Sequence, residues 1–235
     1  MLLEVTKSGM VTSVSGSQYK LEDDAKCDMF GALWRILGAN SSAQRVFGEA
    51  TGLSLLLTTL HGLLSEGQQI DHSMLVIRIK VITYLLRVVT AAVCDNPVNR
   101  TKLHTVISSN TFYDLLCESG LLCVDFERQI VHLFLELALE IVIPPFLASE
   151  SSTFCDKVES SSFLLTSPSG VVNPEHQRVY NAGAVRVIIR ALLLFTPKVQ
   201  LEVLELIGKL ARAGPFNQEN LTSVGKKHTI WLCSC

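Results

Sequence analysis

The chain has 235 residues, of which 48% are hydrophobic and 18% charged, with a mean hydropathy of +0.35. A disordered or fibrous chain could not be this apolar. Twenty basic against twenty-two acidic residues leave a net charge of -2, without the clustered cations that nucleic-acid binding needs.

This length suits one or two compact domains. The seven cysteines are irregularly spaced and form no Cys-x-x-Cys, so the chain carries no zinc-ribbon signature. They read as reduced thiols of a cytosolic protein. The start, Met1-Leu2-Leu3-Glu4, has no basic segment leading into an apolar one, so no secretory signal is expected. The most apolar window, 130–147, holds His132, Glu136, Glu140 and a Pro-Pro pair. That is too polar for a membrane span of about 20 apolar residues, and a buried helix is expected there.

In chain order, residues 1–24 read as a flexible lead-in ending in Glu22-Asp23-Asp24, which suits a helix start. The i, i+3/i+4 spacing of Met29, Phe30, Leu33, Trp34 and Leu37 predicts a first helix over 27–37. A device then recurs, in which a cap opens a short helix, a Gly or Asn ends it, and an apolar helix follows. The starts are Asn40, Asn96-Pro97, Asn173-Pro174 and Gly214-Pro215; the stops are Gly52, Asn110, Gly183 and Gly225. Asn satisfies free N–H groups, Pro is harmless at the first helical position, and Gly allows the terminating turn. The apolar helices are Leu53–Leu60, Phe112–Leu116 and Val185–Phe195. Longer third helices are predicted over 74–94, 127–143 and 198–213. Short, apolar and long helices in succession are the armadillo or HEAT-like arrangement. The expectation over 25–224 is therefore an all-α solenoid, a right-handed superhelical stack truncated at its C-terminus. A Ser-rich mobile loop at about 148–177, suited to phosphorylation, interrupts it. No stretch alternates convincingly as a strand.

The third helices carry narrow polar stripes: Lys80, Thr83, Arg87 and Thr90; Gln129, His132, Glu136 and Glu140; Lys198, Glu202, Glu205, Lys209 and Arg212. Steps of three and four place each set on one face. One reading is a concave groove for a peptide or helix, lined by Lys80, Arg87, His132, Glu136, Glu140, Glu202, Glu205 and Lys209. The other is the solvated side of packed helices. His132, Glu136 and Glu140 have metal-compatible spacing, but HExxH is absent and no second cluster completes a site. No nucleophile elbow, phosphate loop or dinucleotide motif occurs. No catalytic residue, cofactor or metal is expected, and the chain reads as non-enzymatic.

Residues 20–61, from Lys20-Leu-Glu-Asp-Asp-Ala-Lys-Cys-Asp-Met-Phe-Gly-Ala-Leu-Trp34 through Gly52-Leu-Ser-Leu-Leu-Leu-Thr-Thr-Leu-His61, resemble the large BEACH proteins. The resemblance is greatest to their WD-repeat and FYVE-domain-containing, Alfy-like branch, and extends more softly to about residue 224. It implies a piece of an armadillo-like region within a cytoplasmic scaffold, peripheral to endosomal or autophagic membranes and not inserted in them. The implied partners are autophagy or endosomal traffic proteins and the remainder of the solenoid. The BEACH, WD-repeat and FYVE parts of such proteins lie elsewhere, and no site residue transfers from them. After Gly225 the chain departs from the pattern, reading Lys-Lys-His-Thr-Ile-Trp-Leu-Cys-Ser-Cys235. This divergent tail at 225–235 suggests a fragment or alternatively ended isoform. The alternative from another class is an independent armadillo-like adaptor for a small GTPase or transport receptor.

Overall fold

A computed structural model describes residues 16–38, 40–65, 72–123, 125–142, 165–167, 170–172 and 177–225. Ten α-helices occur among them: α1 (Gly16–Leu37), α2 (Ser41–Glu49), α3 (Gly52–Ser65), α4 (His72–Val93), α5 (Pro97–Ile107), α6 (Asn110–Glu118), α7 (Glu127–Leu139), α8 (Ala182–Ala191), α9 (Pro197–Arg212) and α10 (Pro215–Gly225). The long helices α1, α4, α7 and α9 pack side by side in chain order. Against this row lie the apolar helices, with α3 on α4 and α8 on α7, while α6 packs on α3. The helical solenoid read from the repeats is the observed architecture.

Caps place the helices as the sequence suggests. Ala43 N–H donates to Asn40 Oδ1 at 2.9 Å and Asn99 N–H to Asn96 Oδ1 at 3.0 Å. Each satisfies a donor that the first helical turn leaves without a partner. The middle of the row is apolar on almost every side: Leu85, Val88, Val89 and Ala91 of α4, and Val131, Leu137 and Ala138 of α7, are fully buried. Trp34, Phe30 and Phe134 fill the space between the helices.

Buried side-chain amides join one unit to the next. Each reaches back seven residues to a carbonyl at the end of the preceding long helix. Gln44 Nε2 donates to the Leu37 carbonyl at 3.0 Å, Asn99 Nδ2 to that of Ala92 at 2.9 Å, and Asn217 Nδ2 to that of Leu210 at 2.8 Å. Asn99 also donates to the Gln44 carbonyl at 3.2 Å, tying α5 to α2. The helices approach so closely there that a Cβ on Gly48 would stand 2.1 Å from Asn99 Oδ1.

Several expectations are corrected. The first helix begins at Gly16, so 16–24 continue α1 and are not a lead-in. α7 stops at Leu139, where Glu140 turns left-handed at φ 53°. Asn110 does not end the second short helix, which stops at Ile107, but opens α6; Ser109 caps it, and Phe112 N–H donates to its hydroxyl at 3.1 Å. A short antiparallel ribbon, β1 (Leu165–Ser167) with β2 (Gly170–Val172), lies inside the stretch read as a loop, pairing Leu165 with Val172.

The short helix predicted over 173–180 is absent where it can be seen, since 177–180 are not helical. Asn217 Oδ1 accepts from Val179 N–H at 2.8 Å, and Asn220 Nδ2 donates to the Val179 carbonyl at 2.9 Å. These side chains occupy the groups that a helix would have paired internally. The remainder of the Ser-rich stretch and the tail 226–235 lie outside the described residues.

Asn99→Ala removes both of its side-chain bonds and leaves the buried Ala92 carbonyl unpaired, which costs about 1–3 kcal/mol. Urea denaturation of the chain measures this. A loss within experimental error would show that the amide is not holding the units together.

Candidate functional site

The polar stripes of the long helices meet one another across the row. At one end, Lys80 Nζ lies 3.0 Å from Asp24 Oδ1, and this bond raises the lysine pKa. Next, Gln129 Nε2 donates to Thr83 Oγ1 at 2.8 Å, joining α7 to α4. Further on, Arg128 donates to Glu202 Oε1 at 2.7 Å, joining α7 to α9. Glu127 bolts the start of α9 to α7, because its carboxylate accepts from both Thr196 N–H at 2.7 Å and Thr196 Oγ1 at 2.6 Å.

The deepest tie centres on Glu136, which is 1% exposed. Arg87 Nε donates to Oε2 at 3.1 Å and its terminal nitrogen to Oε1 at 3.3 Å. His132 Nδ1 stands 2.8 Å from Oε1, one helical turn away on α7. The Arg87 guanidinium lies 5.4 Å from the Trp34 ring centre, so α1, α4 and α7 meet at this point. Burial opposes ionisation of Glu136, yet Arg87 and then His132 outweigh it and hold the carboxyl below its ordinary value.

A second tie joins α7 to α5. Arg100 bonds both oxygens of Glu140, through Nε to Oε1 and through its terminal nitrogen to Oε2 at 2.6 Å. The Glu140 carboxylate also accepts from Asp95 N–H at 3.3 Å. Arg100 lies 5.0 Å from the Tyr180 ring centre.

Five of the eight predicted groove residues therefore sit in ties between helices: Lys80, Arg87, Glu136, Glu140 and Glu202. His132 supports Glu136 from its own helix, while Glu205 is exposed and Lys209 half-buried on α9. Histidine and the two glutamates at i, i+4 do not converge on one point, because Glu136 turns to Arg87 and Glu140 to Arg100. Among the described residues no group of three His, Cys, Asp or Glu side chains could hold a metal ion. Sequence reasoning missed Glu127 and the amides of Gln44, Asn99 and Asn217. None of these left a usable signal, because the amides stand seven, six and five residues beyond the helix ends at Leu37, Val93 and Arg212. Burial pushes the Cys27 and Cys94 thiols up to about 11, so neither is a thiolate at neutral pH.

Because the folded-state pKa of Glu136 is depressed, the tie stabilises the fold above the ordinary carboxyl value of 4.5 and is lost as pH falls through the folded value. The stability of the parent chain should fall steeply below that pH, and that of Glu136→Gln should fall less. At pH 7 the substitution should remove about 3 kcal/mol, because it leaves Arg87 buried without its counter-charge. Urea titrations at a series of pH values read both effects; parallel profiles would refute the assignment.

No family model matches the chain, and no solved structure does. It is 62% identical over 226 residues to Protein SPIRRIG of Arabidopsis thaliana, covering 95% of this chain and 6% of that protein. To BEACH domain-containing protein A2 of Arabidopsis thaliana it is 61% identical over 226 residues, again 95% of this chain and 6% of the other. The chain thus spans a small fraction of the relatives it matches. No described helix is long and apolar enough to cross a membrane. Nearly the whole chain is therefore homologous to one stretch of very much larger BEACH-domain proteins.

Proposed function

We propose that the chain is one stretch of the helical-repeat region of a large BEACH-domain scaffold and acts through protein–protein contact. The observation that carries this reading is the 62% identity spread over 95% of the chain. So dense a match favours a part of such a scaffold over an independent adaptor for a small GTPase or transport receptor. The setting we assign is selective autophagy or endosomal vesicle traffic, in the cytoplasm and at the periphery of those membranes. The finer assignment to the WD-repeat and FYVE-domain-containing, Alfy-like branch belongs to the same proposal.

The stacking geometry supports a scaffold. Its ionisable groups are spent on joining helices, and what it presents outward is extended surface. The partner groove is then narrower than the stripes imply. Arg87, Glu136, Glu140 and Glu202 hold the stack from within, so the contact line falls on Lys80, whose tie to Asp24 is exposed, and on Lys209, with His132 at its edge. Such solenoid faces bind extended segments or helices by matching charge along their length.

Proximity labelling in cells with the full-length protein tests this. Reversing the charges of Lys80 and Lys209 together should remove a discrete set of neighbours. The urea midpoint of the 235-residue chain should barely move, since exposed charges contribute only about 0–1 kcal/mol each. Deleting residues 16–225 should remove the same neighbours. A set unchanged by both variants would overturn the reading.

A further inference from the structure

The long helices meet in a fixed register that can be counted from the carbonyls taken by the buried amides. Thr83 lies nine residues before Ala92, and it accepts from Gln129 on the next long helix. In α7 the left-handed Glu140 matches the left-handed Asp95 that follows α4, which makes Leu137 the counterpart of Ala92. Arg128 lies nine residues before Leu137, and it donates to Glu202 on the next long helix. Gln129 and Glu202 also match, each eight residues before its own reference, Leu137 and Leu210. The same position of α4 and of α7 thus grips the following helix, one step along in register.

In α9 that position is Leu201, nine residues before Leu210. It is 60% exposed, and Leu204 is 54% exposed. With Gly208 they lie on one face, opposite Val199, Val203, Leu206 and Leu210, which face the core. An outward apolar face is not what every end of this row carries. Among the described side chains of α1 the exposed positions are Glu22, Asp24, Ala25, Asp28 and Arg35, with Ile36 the large apolar exception.

We propose that the Leu201–Leu204 face of α9 is the seat of a further long helix of the same solenoid, supplied by the longer protein to which this stretch belongs. The face continues an interface already repeated along the row, and the relatives extend far beyond the matched stretch. The arriving helix presents an apolar residue to Leu201, where the earlier steps use a polar pair. It also brings a basic side chain to Glu205, which holds the position of Arg87, five residues before the reference carbonyl. This rests on the scaffold reading only in taking the chain as one stretch of a longer solenoid.

Leu201→Cys, placed in the 235-residue chain and in the full-length protein, tests it by maleimide labelling read by peptide mass spectrometry. The thiol should react about tenfold more slowly in the full-length protein, where reaction needs local opening. A benzophenone amino acid at position 201 of the full-length protein should cross-link within the same polypeptide, to a helix of another repeat. Equal labelling rates, or cross-links to a second copy or to a different protein, would overturn the proposal. Loss of the scaffold reading looks different: the labelled neighbours survive charge reversal and deletion while the intrachain cross-link still forms.

Discussion

A buried carboxamide that reaches seven residues back is the bond on which the stack depends. A long helix ends with carbonyls that lack the i+4 amide of the helix interior; those of Leu37 and Leu210 keep only a longer bond from the residue three on, at 3.4 and 3.2 Å. Gln44, Asn99 and Asn217 each give an N–H to one of these carbonyls. The same act fixes the angle at which the next short helix leaves. Asn99 and Asn217 give a second N–H to the neighbouring unit, at the carbonyls of Gln44 and Gln177. The helix end, the turn and the spacing between units are thus set by one functional group. An aliphatic side chain of the same size would fill the space but satisfy none of the carbonyls.

The charged ties do different work. Apolar burial supplies most of the stabilisation, and it is indifferent to whether neighbouring helices slide by a turn. A buried Arg–Glu pair gains little net energy over a well-packed apolar pair, but a slip that separates it is heavily penalised. Arg87 with Glu136, and Arg100 with Glu140, join α4 and α5 to α7 at fixed heights. The Glu127–Thr196 bonds do the same for the start of α9. Polarity on these helices therefore encodes alignment, and little of it is left over for ligands.

Helix content was legible because caps and 3.6-residue periodicity are local. Asn40 and Asn96 cap where their sequence context places them, and the ends of the long helices fall within a few residues of the expected ones. The start of α1 was not legible, since Gly16 and a polar first turn read as coil until packing on α4 is taken into account. Nor was the loss of the third short helix. Asn173-Pro174 looks like Asn96-Pro97, but Asn217 and Asn220, some 40 residues later, claim the backbone at Val179. The stripes were visible as stripes. Whether a stripe faces water, a peptide or the next helix depends on partners such as Asp24 and Trp34 that one helix cannot reveal.

Residues 138 and 180 illustrate what that lost helix permits. The Ala138 carbonyl accepts from the amides of both Tyr180 and Asn181, at 2.9 and 3.1 Å. The described segments on the two sides of the Ser-rich stretch are thus joined by main-chain bonds. Lengthening a connection between flanks that are already tied costs only about 0.6 kcal/mol per doubling. The joined flanks are where the length of the sequence between them can change while the helices on either side keep their places.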